Sequence, residues 1–374
     1  MSILVRGPVH EVAGPDVGVF VRDGHISWVG AGKSPERADL EIVAEPTELI
    51  VPGFIDLQVN GFGGHDAAGG AAEISAISEL LPRFGVTSFL PTAISRPLKE
   101  AGAFVEATRV ASAPGARVLG AHLEGPFLNP TFRGAHDPTA LIEPTSEHID
   151  EILNSPPRMM TLAPELPGAL EAIRRLDAAG VLVAAGHSGA DYEQGERAIE
   201  AGVRFGTHLF NAMRAFHHRR PGLVGALLID VRASVGLIAD GQHLHDATCE
   251  QVLHLKSPEH VALTTDQTAA AGVPPGNYSL GGRRVVSDGE AVRLEDGTLA
   301  GSIATMDELI RRMASLPGMS LEDAVTMASA APALVLDETR IGTIRPGAFA
   351  DLVILDREMR VRLTIVSGRV VYRR

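Results

Sequence analysis

Short apolar runs alternate with longer helix-compatible stretches eight times between Leu49 and Gln267, and this alternation restricts the fold more than any other feature of the chain. The runs are "LIVPGFIDLQVN", "VTSFLPT", "RVLGAHLEGPF", "RMMTLAPE", "VLVAAGHS", "RFGTHLFNA", "SVGLIAD" and "HVALTTDQ", with stretches such as "LEAIRRLDAAG" and "YEQGERAIEAG" between them. Parallel strands need long crossovers, usually helices, so strand then helix repeated eight times predicts a (β/α)8 TIM-type barrel. At 374 residues the chain can hold one such barrel and a little more.

The remainder lies at the two ends. "GVFVRDGHISWVGAG" alternates apolar and polar residues around Asp23-Gly24, a hairpin signal, and "GTIRPGAFADLVILD" and "LTIVSGRVVY" read as strands separated by turns. The expected organisation is a small β-sandwich domain assembled from both chain ends, residues 1–50 plus 338–374, around a barrel over residues 51–337. "PPGNYSLGGRRVVSDGEAVRLEDGTLAGS", after the eighth run, reads as an inserted hairpin with loops.

Composition narrows the function classes. The single cysteine, Cys249, excludes an intramolecular disulfide framework and a Cys-rich zinc ribbon, so any bound metal must use His and carboxylate ligands. A net charge of −13 argues against nucleic acid or an anionic membrane as the main partner. No apolar run reaches the roughly 20 residues of a membrane span, and "MSILVRGPVHEV" lacks the pattern of a signal peptide, so the expected location is the cytoplasm.

Most of the apolar runs end in polar residues: Gln58 and Asn60, Thr92, His122 and Glu124, Glu165, His187, His208 and Asn211, Asp240, Asp266. In a barrel these strand ends converge on one mouth. Glu124, His187 and His208 together form a normal ligand set for a catalytic divalent ion, and Asp266 is the candidate general base. His136 and His243 fall in the loops after the third and seventh runs, where either suits polarising a carbonyl or gripping a substrate hydroxyl. "HHRRPG", His217 to Gly222, is the one dense basic cluster and a candidate phosphate or carboxylate grip.

Nine blocks follow the order found in N-acetylglucosamine-6-phosphate deacetylases of the amidohydrolase superfamily, and the chain resembles that family over nearly its whole barrel. They are "PGFIDLQVNG", "LGAHLEGPFLNPTFRGAHDP", "AAGHSGADYEQ", "GTHLFNAM", "HRRPGLVGA", "IADGQHLH", "TTDQTAAAG", "LAGSIATM" and "ASAAPALVL". The resemblance implies metal ligation by Glu124, His187 and His208 and acid/base catalysis by Asp266. It implies that His243 polarises the acetyl carbonyl and that His136 contacts the sugar. Asn211 and Ala212 match part of a phosphate pocket, and Arg219 its cationic member, reaching over from the second subunit of a homodimer. The implied reaction is deacetylation of N-acetylglucosamine 6-phosphate by water activated on one divalent ion, Zn2+ first, with Fe2+, Mn2+ or Co2+ as substitutes. The competing expectations are the N-acetylgalactosamine epimer or another N-acyl amino sugar phosphate, and a catalytically silent sugar-phosphate binder.

Two departures shape the expectation. Gln58 and Asn60 stand where many metal-dependent hydrolases carry His-x-His, and none of the lysines Lys33, Lys99 and Lys256 falls at a predicted strand end to bridge two metals. One metal is therefore expected, with the two amides free to hydrogen-bond water or substrate. The second departure is Gln267, where the family more often has a small residue after the catalytic Asp.

Overall fold

The structure, a computed structural model, describes residues 2–374. Eight parallel strands form the barrel: strand 1 (Phe54–Val59), strand 2 (Val86–Ile94), strand 3 (His122–Glu124), strand 4 (Met159–Leu162), strand 5 (Leu182–Ala185), strand 6 (Val203–Gly206), strand 7 (Ser234–Leu237) and strand 8 (Val261–Leu263). Each pairs with its successor. The ring is completed just beyond strand 8, where Val59 bridges Gln267 and the Asn60 N–H donates to the Gln267 carbonyl at 2.9 Å. Each of the eight expected runs overlaps a barrel strand.

The helices between them start and stop where local chemistry says they should. Helix Tyr192–Ala201 begins at Asp191, whose side chain caps the Gln194 N–H while the Gln194 side chain returns to the Asp191 N–H, and it ends at Gly202. Its buried face is Gly195, Ala198, Ile199 and Ala201, which turns a one-sided apolar stripe toward the strands.

The first run divides in two. Leu49–Pro52 pairs antiparallel with Leu352–Leu355 in the sheet built from the chain ends, whereas Phe54–Val59 enters the barrel. Gly53 sits between them with no room for a side chain, because a Cβ there would stand 2.2 Å from the Thr87 hydroxyl. The terminal sheet is one mixed, eight-stranded sheet whose two halves meet through the pair Val9–Ile50. Residues of both halves, among them Ile3, Val19, Ile42, Ile354 and Leu363, close a single apolar core of their own.

After strand 8 the expected inserted hairpin is a three-stranded antiparallel sheet, Gly276–Leu280, Arg283–Ser287 and Val292–Arg293. It is latched over the barrel mouth by the Ser279 hydroxyl, which donates to Asp66 at 2.7 Å, and by Arg283, which donates to the Ala135 carbonyl. No helix of the described residues is long and apolar enough to cross a membrane.

Candidate active site

The C-terminal strand ends open into a cleft of about 290 Å³ lined by Asn60, Glu124, His136, His187, His208, Asn211, Ala212, His243 and Asp266, and covered by Leu280, Thr298 and Leu299. A larger cavity, about 650 Å³, lies between the terminal sheet and the barrel beside Arg117 and Phe349, remote from these groups.

Glu124, at the end of strand 3 and 3% exposed, is the centre of the cluster. Its Oε1 lies 3.1 Å from His187 Nε2 and 2.9 Å from His208 Nε2, and those two nitrogens are 3.1 Å apart. His187 Nδ1 faces the Phe132 carbonyl at 2.9 Å. A carbonyl only accepts, so Nδ1 carries the proton and Nε2 of the neutral ring offers a lone pair toward Glu124. Burial pushes the His187 imidazolium down to about 4 and so keeps the ring neutral. His208 also loses by burial, but the Glu124 and Asp266 carboxylates raise it above its ordinary value. Against its own burial, Glu124 is held well below the usual carboxylate range by the three imidazoles around it.

A lone pair on His187 and another on Glu124 that meet at 3.1 Å repel unless a proton or a cation lies between them. That is the donor arrangement of a divalent metal site, and a cation bound there would need both imidazoles neutral. Glu124, His136 and His187 also bring ligand atoms within 4.8 Å of one another. His136 Nδ1, however, accepts the Ser95 backbone N–H at 3.0 Å, so its proton is on Nε2, 3.5 Å from Glu124 Oε2. In that tautomer His136 is a donor, and His208 completes the ligand set better.

Asp266 stands beside this cluster, 8% exposed. Burial first, and the Glu124 charge second, push its carboxyl from the ordinary 3.8 up to about 7. Such a group takes and returns a proton near neutrality. Asp266, His187, His208 and Ala212 all have positive φ, at 49°, 48°, 31° and 50°. Left-handed backbone at non-glycine residues costs of order 1–3 kcal/mol each and gathers where surrounding structure imposes it. Here the Ser302 N–H holds the Asp266 carbonyl at 2.9 Å. Glu165, at the end of strand 4, grips the turn after His187 through the Ser188 hydroxyl at 2.7 Å and the Gly189 N–H, and reaches Asn129 in the loop after Glu124 at 2.8 Å.

The two amides have definite partners. Gln58 Nε2 donates to Glu124 Oε1 at 3.0 Å, and Asn60 Nδ2 donates to Asp266 Oδ1 at 2.7 Å. Gln58 is 1% exposed and does not line the cleft, so its amide serves Glu124 rather than a substrate. Asn60 lines the cleft, but its NH2 is committed to Asp266 and its Oδ1 is buried without a partner. His243 Nδ1 meets Asp240 Oδ2 at 2.8 Å, which leaves Nε2 as an acceptor in the neutral ring. Asn211 spends its NH2 on the His208 and Leu209 carbonyls, both at 3.3 Å. Arg219 is on an exposed turn and is absent from the lining of this chain's own cleft. The lysines lie away from the mouth, and Lys256 caps the Asp230 and Ala233 carbonyls.

Residues 49–371 match the model of the amidohydrolase family. N-acetylglucosamine-6-phosphate deacetylase of Danio rerio is 38% identical over 375 residues, covering 93% of this chain and 92% of that protein. The chain belongs to the N-acetylglucosamine-6-phosphate deacetylase family of amidohydrolases. N-acetylgalactosamine-6-phosphate deacetylase of Escherichia coli O157:H7 is 37% identical over 344 residues, covering 89% of this chain and 90% of that protein. Among solved structures, an aspartate-to-alanine variant of N-acetyl-D-glucosamine-6-phosphate deacetylase from Mycobacterium smegmatis, in complex with N-acetyl-D-glucosamine-6-phosphate, superposes with a TM-score of 0.91 at 32% identity, covering 99% of each chain. In this amidohydrolase the sequence patterns had not singled out Ser95, which fixes the His136 tautomer, nor Asp56 and Thr265, which meet behind Asp266. Asp56 carried the available signal, an acidic residue inside an otherwise apolar buried strand.

Proposed function

We propose that this chain removes the acetyl group of N-acetylglucosamine 6-phosphate, leaving glucosamine 6-phosphate and acetate. The observation that carries the reading is the convergence of Glu124, His187 and His208 beside Asp266 in one cleft. Those three residues would hold one divalent ion, zinc first and iron, manganese or cobalt as substitutes. When bound, the ion acts as a Lewis acid that makes water a nucleophile near neutral pH and polarises the amide carbonyl.

The chain's own residues do the rest. Asp266, fixed through Oδ1 by Asn60, takes a proton from the attacking water at Oδ2 and hands it to the departing amine nitrogen. The tautomers divide the two loop histidines. His136 has an N–H at Nε2 to give to the carbonyl oxygen, where negative charge develops. His243, with Nδ1 committed to Asp240, presents a lone pair suited to a sugar hydroxyl. This exchanges the roles that the family resemblance implies for them. Asn211 and Ala212 border the phosphate, and Arg219 of a second copy supplies its cation in a homodimer. A sugar phosphate carries too much charge to cross a bilayer unaided, which favours the cytoplasm as the location.

The Escherichia coli relative named for the galactosamine epimer supports a second reading in which that epimer is the substrate. Acetate release from both epimers, with and without the 6-phosphate, tests both. Faster turnover of the glucosamine epimer supports the first reading, faster turnover of the other supports the second, and equal rates without phosphate refute the role of Arg219.

A further inference from the structure

Asp56 has none of the roles assigned above. It lies in barrel strand 1, fully buried, and its carboxylate takes three donors. Oδ1 accepts the backbone N–H groups of Gln58 and Thr265, both at 3.2 Å, and Oδ2 accepts the Thr265 hydroxyl at 2.6 Å. Among the described residues no cation pairs with it. A buried carboxylate without a counter-ion is unfavourable, and an apolar side chain avoids that penalty.

Each of its bonds leads toward the cleft. The Gln58 N–H bond curls the chain within two residues, at the place where the pairing of strands 1 and 2 becomes irregular between Asp56 and Val59. That curl brings the Gln58 amide to Glu124 Oε1 at 3.0 Å. The two Thr265 bonds fix the residue immediately before Asp266. From the opposite side Ser302 grips the same segment, its hydroxyl on the Thr265 carbonyl and its N–H on the Asp266 carbonyl. The left-handed Asp266 is thus held between strand 1 and the loop that carries Ser302.

We propose that Asp56 is a positioning residue whose single carboxylate sets both the aim of Gln58 at Glu124 and the left-handed conformation that presents Asp266 to the cleft. The proposal rests on the reaction and ligand set proposed above.

Three variants and two measurements test it: steady-state kinetics, and zinc affinity by competition with a chromogenic chelator, which does not depend on turnover. Thr265→Val removes the hydroxyl bond of the Asp266 arm, and with it the Gln267 N–H contact, while the backbone N–H bond and the Gln58 arm stay, so kcat falls about 10-fold while KM and zinc affinity stay near wild type. Asp56→Ala cuts both arms and lowers kcat and zinc affinity by about 10–100-fold each. Asp56→Asn keeps one acceptor oxygen and falls between wild type and Asp56→Ala on both readings. Variants that lose thermal stability but keep wild-type kcat, KM and zinc affinity overturn the proposal. If Asp56→Ala does not fold, Asp56→Asn and Thr265→Val decide it on the same criteria. If wild type binds zinc but releases acetate from neither epimer, the reaction is wrong. The chelator measurement then stands alone, and wild-type zinc affinity in Asp56→Asn overturns the positioning role.

Discussion

The barrel mouth and the terminal sheet both hold left-handed, non-glycine residues, for opposite reasons. In the sheet they are Glu11, Asp23, Met359 and Ser367, and each lies in a short turn between antiparallel strands. Right-handed strand twist favours such turns, so the conformation there follows from connectivity alone. At the mouth they are His187, His208, Phe210, Ala212 and Asp266, which follow the ends of parallel strands where no hairpin demands them. The mouth also leaves Asn60 Oδ1 and His208 Nδ1 buried without hydrogen-bond partners. Strain in the sheet is a by-product of turning the chain, whereas strain at the mouth aims side chains at one another.

That contrast can be broken by experiment. The largest effect expected is from metal removal: chelation abolishes acetate release and zinc restores it, while circular dichroism of the sheet-rich fold changes little. Metal analysis returning two ions per chain would contradict the single-site reading. Next, Asp266→Asn lowers kcat by about 10²–10⁴-fold with metal content unchanged, as acid/base loss requires. Undiminished turnover in that metal-loaded variant would remove Asp266 from the mechanism.

Two pH effects are smaller. Burial pushes the Asp266 carboxyl up to about 7, and it must be ionised to accept a proton, so kcat/KM should fall as pH drops below about 7. A flat profile down to pH 5 would show that the bound metal or substrate resets it. Asp56 is pushed by burial from 3.8 to about 7. Between those values the folded protein holds a proton that the unfolded chain has released, so its contribution to stability declines as pH rises from about 4 to about 7. Denaturant melts at pH 5 and pH 8 should show that decline, with a shallower one in Asp56→Asn.

The smallest effect belongs to the sheet. Glu11→Gly relieves a left-handed turn residue and should raise stability by about 0.5–1 kcal/mol without altering kcat. A comparable gain, with activity retained, from His208→Gly would erase the distinction between the two regions.

Much of this was legible because the barrel writes itself into the sequence as alternation. Most strands, such as "VLVAA", are apolar because they are buried on both faces, and most runs end in the polar residue that meets the mouth. Glu124, His187, His208 and Asp266 stood out for that reason. What stayed hidden was direction. Gln58 and Asn60 read as amides open to substrate, yet a neighbouring carboxylate claims each one, which only the three-dimensional placement of Glu124 and Asp266 beside strand 1 reveals. The tautomer of His136 depends on the Ser95 backbone N–H, a group every residue has and no sequence pattern marks. The split of the first run at Gly53 was equally silent, since both halves are apolar strand and only their partners differ.

The neutral amides at positions 58 and 60 also settle the electrical balance of the mouth. One dication opposite Glu124 and an ionised Asp266 sums to zero, in a chain whose formal charge is −13. An anionic sugar phosphate entering that mouth finds no surplus of positive charge at the reacting end to hold it the wrong way round. If the basic turn at His217–Arg220 of a second copy takes the phosphate, as proposed above, the phosphate and the acetamido group are sorted to opposite ends of the cleft before any bond is broken.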